Sequence, residues 1–138
     1  MYKHVVLFDD DQDDAELFKE ALEEINTEIK FTYFNDELEG IENICKKGIV
    51  KPDIIFLDLN MPSLSGWDCL RMLKSNVNTK PVHVIMYTTS SQKREKEIAR
   101  DLGASGFITK PTDYKELIRI LEGVLSASAD QLEKHTMG

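Results

Sequence analysis

Short, almost wholly apolar runs alternate with amphipathic stretches along this chain, and that alternation limits the folds open to it. Val5-Val6-Leu7-Phe8 and Ile54-Ile55-Phe56-Leu57 present no polar side to water, so each reads as a strand covered on both faces. Strands are expected near residues 4–9, 29–34, 53–57, 82–88 and 105–109. Helices are expected near 12–26, 36–47, 66–76 and 91–102, with a last one over 112–126. The first gathers Ala15, Phe18, Leu22 and Ile25 on one face; the last gathers Tyr114, Leu117, Leu121, Val124 and Leu125 behind a Thr112-Asp113 cap. Five strand–helix repeats imply an α/β fold, a doubly wound five-stranded parallel sheet with strand order 2-1-3-4-5.

In such folds a site forms outside the carboxyl ends of the strands, where the strand order reverses. That order sets the ends of the first and third strands side by side and brings Asp9, Asp10 and Asp58 together. Three mutually repelling carboxylates in one crevice call for a cation. Asp11, Asp13 and Asp14, at the start of the first helix, read instead as turn or cap residues.

At 138 residues the chain is expected to form one domain, and its 41% apolar and 30% charged composition is that of a soluble globular protein. A formal charge of −8 argues against nucleic-acid binding and suits a protein that takes cations or docks on basic partners. Cys45 and Cys69 share no metal-type spacing with each other or with the three histidines, so neither a disulfide nor zinc is expected and a reducing cytoplasm fits. The apolar stretch before Asp9 is too short for a signal peptide or a membrane span.

Four segments, VVLFDDDQDDAEL, IIFLDLNMPSLSG, VIMYTTSS and GASGFITKPTD, resemble the motifs of response-regulator receiver domains of two-component signalling, in that family's order and spacing. The resemblance covers residues 3–126, implies a flavodoxin-like three-layer sandwich, and leaves 127–138 as a polar C-terminal tail with no effector domain. It makes Asp58 the phosphoacceptor, which attacks a phosphoryl group supplied by a sensor histidine kinase or a histidine phosphotransfer protein. It places Mg²⁺ (or Mn²⁺) on Asp9, Asp10, Asp58 and the main-chain carbonyl of Asn60, Asp9 acting through water. Lys110, at the end of the fifth strand, supplies a counter-charge to Asp58 and then to the phosphoryl group. Thr88 is implied as the switch hydroxyl and Phe107 as the switch aromatic; the Lys110–Pro111 bond is implied to be cis.

Two positions bear on kinetics: Thr89 is bulkier than the Ala or Gly often found after the switch hydroxyl and would crowd a water attacking the acyl phosphate, and Asn60 adjoins the site. The helix at 91–102 offers only Ile98, Ala99 and Leu102 to a core, so it is expected to dock weakly and to move. The 91–126 face is then the expected output surface for a downstream protein target, and a homodimer is left open. An alternative is a phosphorelay intermediate that passes its phosphoryl group to a histidine phosphotransfer protein. A remoter one is a haloacid-dehalogenase-type phosphatase, but Asp9-Asp10-Asp11-Gln12-Asp13 lacks the Thr or Val of that family's first-strand motif.

Overall fold

The computed structural model describes residues 2–48, 50–128, 131–132 and 136. Five parallel strands, β1 (His4–Phe8), β2 (Lys30–Phe34), β3 (Ile54–Leu57), β4 (His83–Thr88) and β5 (Gly106–Thr109), form one sheet in the order β2-β1-β3-β4-β5. Helices α1 (Gln12–Ile25), α2 (Glu37–Ile41), α3 (Gly66–Ser75), α4 (Lys93–Asp101) and α5 (Tyr114–Ser126) cover its two faces. The expected fold class and strand order are those observed.

The strands in the middle of the sheet are apolar on both sides because each side meets helices. One layer packs Val5, Leu7, Phe56, Ile85 and Tyr87 against Phe18, Leu22, Leu117 and Leu121 of α1 and α5. The other packs Val6, Phe8, Ile55, Leu57 and Met86 against Ile41, Cys69, Leu70 and Ala99 of α2, α3 and α4. Phe18 lies at the centre of the first layer, with ring centroids 5.0 Å from Phe56 and 5.4 Å from Tyr87. Burying one such side chain contributes about 2–3 kcal/mol, and Phe18→Ala would cost about 3–5 kcal/mol once the cavity is counted.

The register carries the site. Phe8 pairs with Leu57, so Asp9 and Asp58 leave adjacent strands at the same level. Thr88 pairs with Thr109, which sets Lys110 one residue beyond the edge of the sheet. The Asp58 N–H donates to the Phe8 carbonyl at 3.0 Å and the Lys110 N–H to the Thr88 carbonyl at 2.7 Å, so strand pairing continues into both site residues.

The second expected helix is divided. Regular α2 stops at Ile41 and a wider turn, Glu42–Lys46, follows, with the Lys47 N–H reaching back to the Glu42 carbonyl. Helix α4 buries only Ala99, and its N-cap Gln92 makes no side-chain capping bond. The tail does not simply prolong α5: the backbone turns extended at Ala127, residues 131, 132 and 136 are again helical, and Leu132 is fully buried. The Lys110–Pro111 bond is trans, the form general energetics favour, and not the cis form implied by resemblance.

Candidate functional site

Each acidic residue reaches the crevice because an apolar strand ends there. Asp9 follows Phe8 and is fully buried; Asp58 follows Leu57 and is 5% exposed; Asp10 is exposed at the rim. One carboxylate oxygen of each lies within 4.8 Å of the others. The turn after β1 holds its shape through the Asp9 carboxylate, which accepts the Asp11 N–H at 3.0 Å. The turn after β3 does the same, with Asp58 Oδ1 accepting the Asn60 N–H at 3.1 Å.

Gly66 is what lets that second turn close. A Cβ at this position would lie 2.6 Å from the Asp58 carbonyl oxygen and 2.6 Å from Leu59 Cα, both backbone atoms that cannot swing away. The Gly66 N–H also donates to the Leu59 carbonyl at 3.0 Å.

Lys110 offsets part of the cluster's negative charge. Its Nζ lies 2.8 Å from Asp9 Oδ2, 3.0 Å from Asp14 Oδ2 and 3.1 Å from Asp58 Oδ2, while only 9% of the side chain meets solvent. The Tyr87 ring centroid is 5.4 Å from the same ammonium, a cation–π contact on the core side. Burial alone would lower the Lys110 pKa, but the bonds to Asp9 and Asp14 and the charges of Asp9 and Asp58 outweigh it and raise the value. Burial pushes Asp9 up to about 6, and Lys110 offsets this only in part.

Thr88 is fully buried at the end of β4, where its Oγ1 accepts the Ser90 N–H at 3.5 Å. Ser90 is tied onward: its hydroxyl bonds Glu95 of α4, and its carbonyl accepts from Thr109 Oγ1 at 2.9 Å. Thr89, the next residue after Thr88, is exposed. Phe107 is already inside the core at 1% exposure, with the Lys96 ammonium 6.0 Å from its ring centroid.

The structure thus gathers Asp9, Asp10, Asp58 and Lys110 in one crevice and ties Thr88 and Asn60 to its border. Asp14, read from sequence as a cap residue, is instead a third partner of Lys110. Capping belongs to Asp11, whose carboxylate accepts the N–H groups of Asp13 and Asp14 at 3.0 and 3.2 Å. Tyr87 and Gly66 were also missed as site components. The glycine sits within a motif whose chemistry drew attention to Asp58, and the tyrosine within an apolar strand.

The donor set fits a hard divalent cation. All candidate ligands are oxygens, which Mg²⁺ and Mn²⁺ prefer. Asp9 Oδ2 is buried and faces the Lys110 ammonium at 2.8 Å without an aligned hydrogen bond, so it retains acceptor capacity for a cation or its water.

An oxygen-lined crevice with one ammonium, at the carboxyl edge of the sheet, places the chain in the class of doubly wound α/β proteins that bind charged ligands where the strand order reverses. Within it, the chain belongs to the response regulator receiver domain family, which it matches over residues 5–122. It is similar to the response regulator Rcp1 of Synechocystis, 26% identical over 128 residues, covering 90% of this chain and 87% of Rcp1. It is also similar to protein PilH of Pseudomonas aeruginosa, 34% identical over 76 residues, covering 55% of this chain and 63% of PilH. The chain spans 54% of the Synechocystis transcriptional regulator RpaA, to which it is 27% identical. Among solved structures, the phosphorylated cyanobacterial phytochrome response regulator RcpA superposes with a TM-score of 0.84 at 26% identity, covering 93% of this chain and 97% of RcpA. The Mn²⁺-bound form of Rcp1 gives 0.80 at 25% identity, covering 90% and 92%.

A receiver is a signalling domain that takes a phosphoryl group onto an aspartate, binds Mg²⁺ or Mn²⁺ in its acidic crevice and works with histidine kinases or phosphotransfer proteins. Among the described residues no helix is long and apolar enough to cross a membrane.

Proposed function

We propose that Asp58 is the phosphoacceptor of a receiver unit spanning residues 3–126, charged by a histidine kinase or phosphotransfer protein in the cytoplasm. The observation that carries this reading is the Lys110 ammonium held 3.1 Å from Asp58 and 2.8 Å from Asp9, both buried, in an otherwise anionic crevice. An Asp58 carboxylate oxygen attacks the phosphorus of a phosphohistidine. The P–N bond breaks, the histidine nitrogen leaves with the electron pair and takes a proton, and an acyl phosphate remains on Asp58.

Asp9, Asp10, Asp58 and the Asn60 carbonyl would hold Mg²⁺, which would supply charge neutralisation for the incoming anion. Lys110 adds the second positive charge and orients one phosphoryl oxygen. Thr88 exchanges its contact with the Ser90 N–H for donation to another phosphoryl oxygen. Ser90 is tied to Glu95, so that movement reaches α4, the helix with least buried surface. The 91–126 face changes shape and meets a downstream protein. Phe107, already inside, holds the inward position that this displacement favours. Phosphorylation and hydrolysis at Asp58 proceed without a further enzyme, and Thr89 and Asn60 set their rates.

Intact mass of the protein incubated with acetyl phosphate tests this. Wild type gains one phosphoryl mass only with Mg²⁺, and Asp58→Asn gains none; an adduct on Asp58→Asn, or no Mg²⁺-dependent adduct on wild type, overturns the reading.

A further inference from the structure

We propose that Asp14 is a positioning residue that holds Lys110 in the resting state and yields it to the phosphoryl group. The inference rests on the reading of Asp58 as the phosphoacceptor.

An ammonium has three N–H donors. Lys110 lies among three carboxylates, Asp9 at 2.8 Å, Asp14 at 3.0 Å and Asp58 at 3.1 Å, and donates aligned bonds to Asp14 and Asp58, so a phosphoryl oxygen on Asp58 competes with the other carboxylates for the ammonium. Their surroundings decide which of them yields. The Asp9 side chain is 0% exposed and cannot exchange the ammonium for bulk water, and Asp58 carries the phosphoryl group itself. The Asp14 side chain is 36% exposed and lies on the first turn of α1, where water replaces the lost partner at little cost.

Asp14 has no competing local duty. Its own N–H is capped by Asp11, and Lys110 is the partner found for its carboxylate, 96 residues away in the chain. Among the acids of the first turn, Asp13 is exposed and Asp14 alone is turned inward onto the site lysine.

Two consequences of opposite sign follow. Without the Asp14 charge, Lys110 bears more closely on Asp9 and Asp58, and a cation entering among those carboxylates meets stronger competition. The phosphoryl group, by contrast, meets a lysine with one rival fewer and one repelling anion removed. Asp14 therefore favours the cation-loaded, unphosphorylated state and restrains the phosphorylated one. A purely structural loss would weaken both ligands together.

The test is calorimetric titration of wild type, Asp14→Asn and Asp13→Asn. Each is titrated with Mg²⁺, then with beryllofluoride, a phosphoryl mimic, at saturating Mg²⁺. Asp14→Asn is expected to bind Mg²⁺ roughly two- to five-fold more weakly and beryllofluoride roughly two- to five-fold more tightly, the range of a part-exposed ion pair. Asp13→Asn, which removes the same charge one residue away, is expected to shift neither by that amount. Acetyl phosphate should also charge Asp14→Asn faster than wild type at saturating Mg²⁺. Equal weakening of both ligands, no shift in either, or the same pair of shifts in Asp13→Asn overturns the proposal. If wild type itself binds no beryllofluoride in Mg²⁺, the reading of Asp58 fails first; wild-type binding with an unshifted Asp14→Asn overturns this inference alone.

Discussion

Asp9 is a charge stored at a thermodynamic cost, and Asp9→Asn should expose that cost as stability. The carboxyl is fully buried, and burial raises its pKa from 3.8 to about 6 despite the ammonium 2.8 Å away. Below pH 3.8 the group carries a proton in folded and unfolded chains alike, so the stabilisation from folded-state proton binding is fully present. As pH rises through about 6 the folded chain loses that proton and the stabilisation disappears. At about 1.4 kcal/mol per pH unit, the interval corresponds to about 3 kcal/mol, or roughly 10 °C in Tm for a chain of this size. Asparagine has the same shape and no proton to lose. In chelator, urea unfolding should therefore find Asp9→Asn more stable than wild type by about 3 kcal/mol at pH 7.5, with the difference shrinking toward pH 4. If Asp9→Asn is as stable as wild type or less stable at pH 7.5, the buried charge is not a net burden and the electrostatic account of the crevice is wrong.

Mg²⁺ should stabilise wild type by about 2.7 kcal/mol at a hundred times its Kd at pH 7.5, and by much less at pH 4.5, where it must displace a proton from Asp9; a thermal shift independent of pH would contradict this. Gly66→Ala should cost about 1–3 kcal/mol and slow phosphorylation by acetyl phosphate, because its Cβ would lie 2.6 Å from the Asp58 carbonyl oxygen; unchanged urea midpoint and rate would refute it. Amide hydrogen exchange should be faster across α4, which buries Ala99 alone, than across α5, which buries Leu117, Leu121, Val124 and Leu125; the reverse order would remove the case for a mobile α4. Thr89→Ala should shorten the lifetime of phospho-Asp58 by opening a path for water, and an unchanged decay rate would release Thr89 from any kinetic role.

The fold was legible because its strongest constraint is local. Val5–Phe8 and Ile54–Leu57 can be satisfied only between two layers of helices, and right-handed crossovers then leave few strand orders. Asp9, Asp58 and Lys110 were legible for a related reason: each follows a strand directly, so topology fixes its height in the sheet. Asp14 was not. It lies on a helix, among five aspartates within six residues, and only the tertiary placement of α1 decides which of them turns inward. The break in α2 was hidden too, since Leu38, Ile41, Ile44 and Cys45 keep helical spacing through the widened turn. Leu132 illustrates the same limit, as one apolar residue in a polar tail gives no periodicity, yet it is fully buried against the core.

The central claim concerns one carboxylate. Phosphorylating the protein with acetyl phosphate and Mg²⁺, reducing it with borohydride and mapping the peptides converts an acyl phosphate into homoserine at the acceptor position. The account predicts homoserine at residue 58 and at neither Asp9 nor Asp10. Homoserine at another aspartate, or none in protein that has gained phosphate, would contradict it.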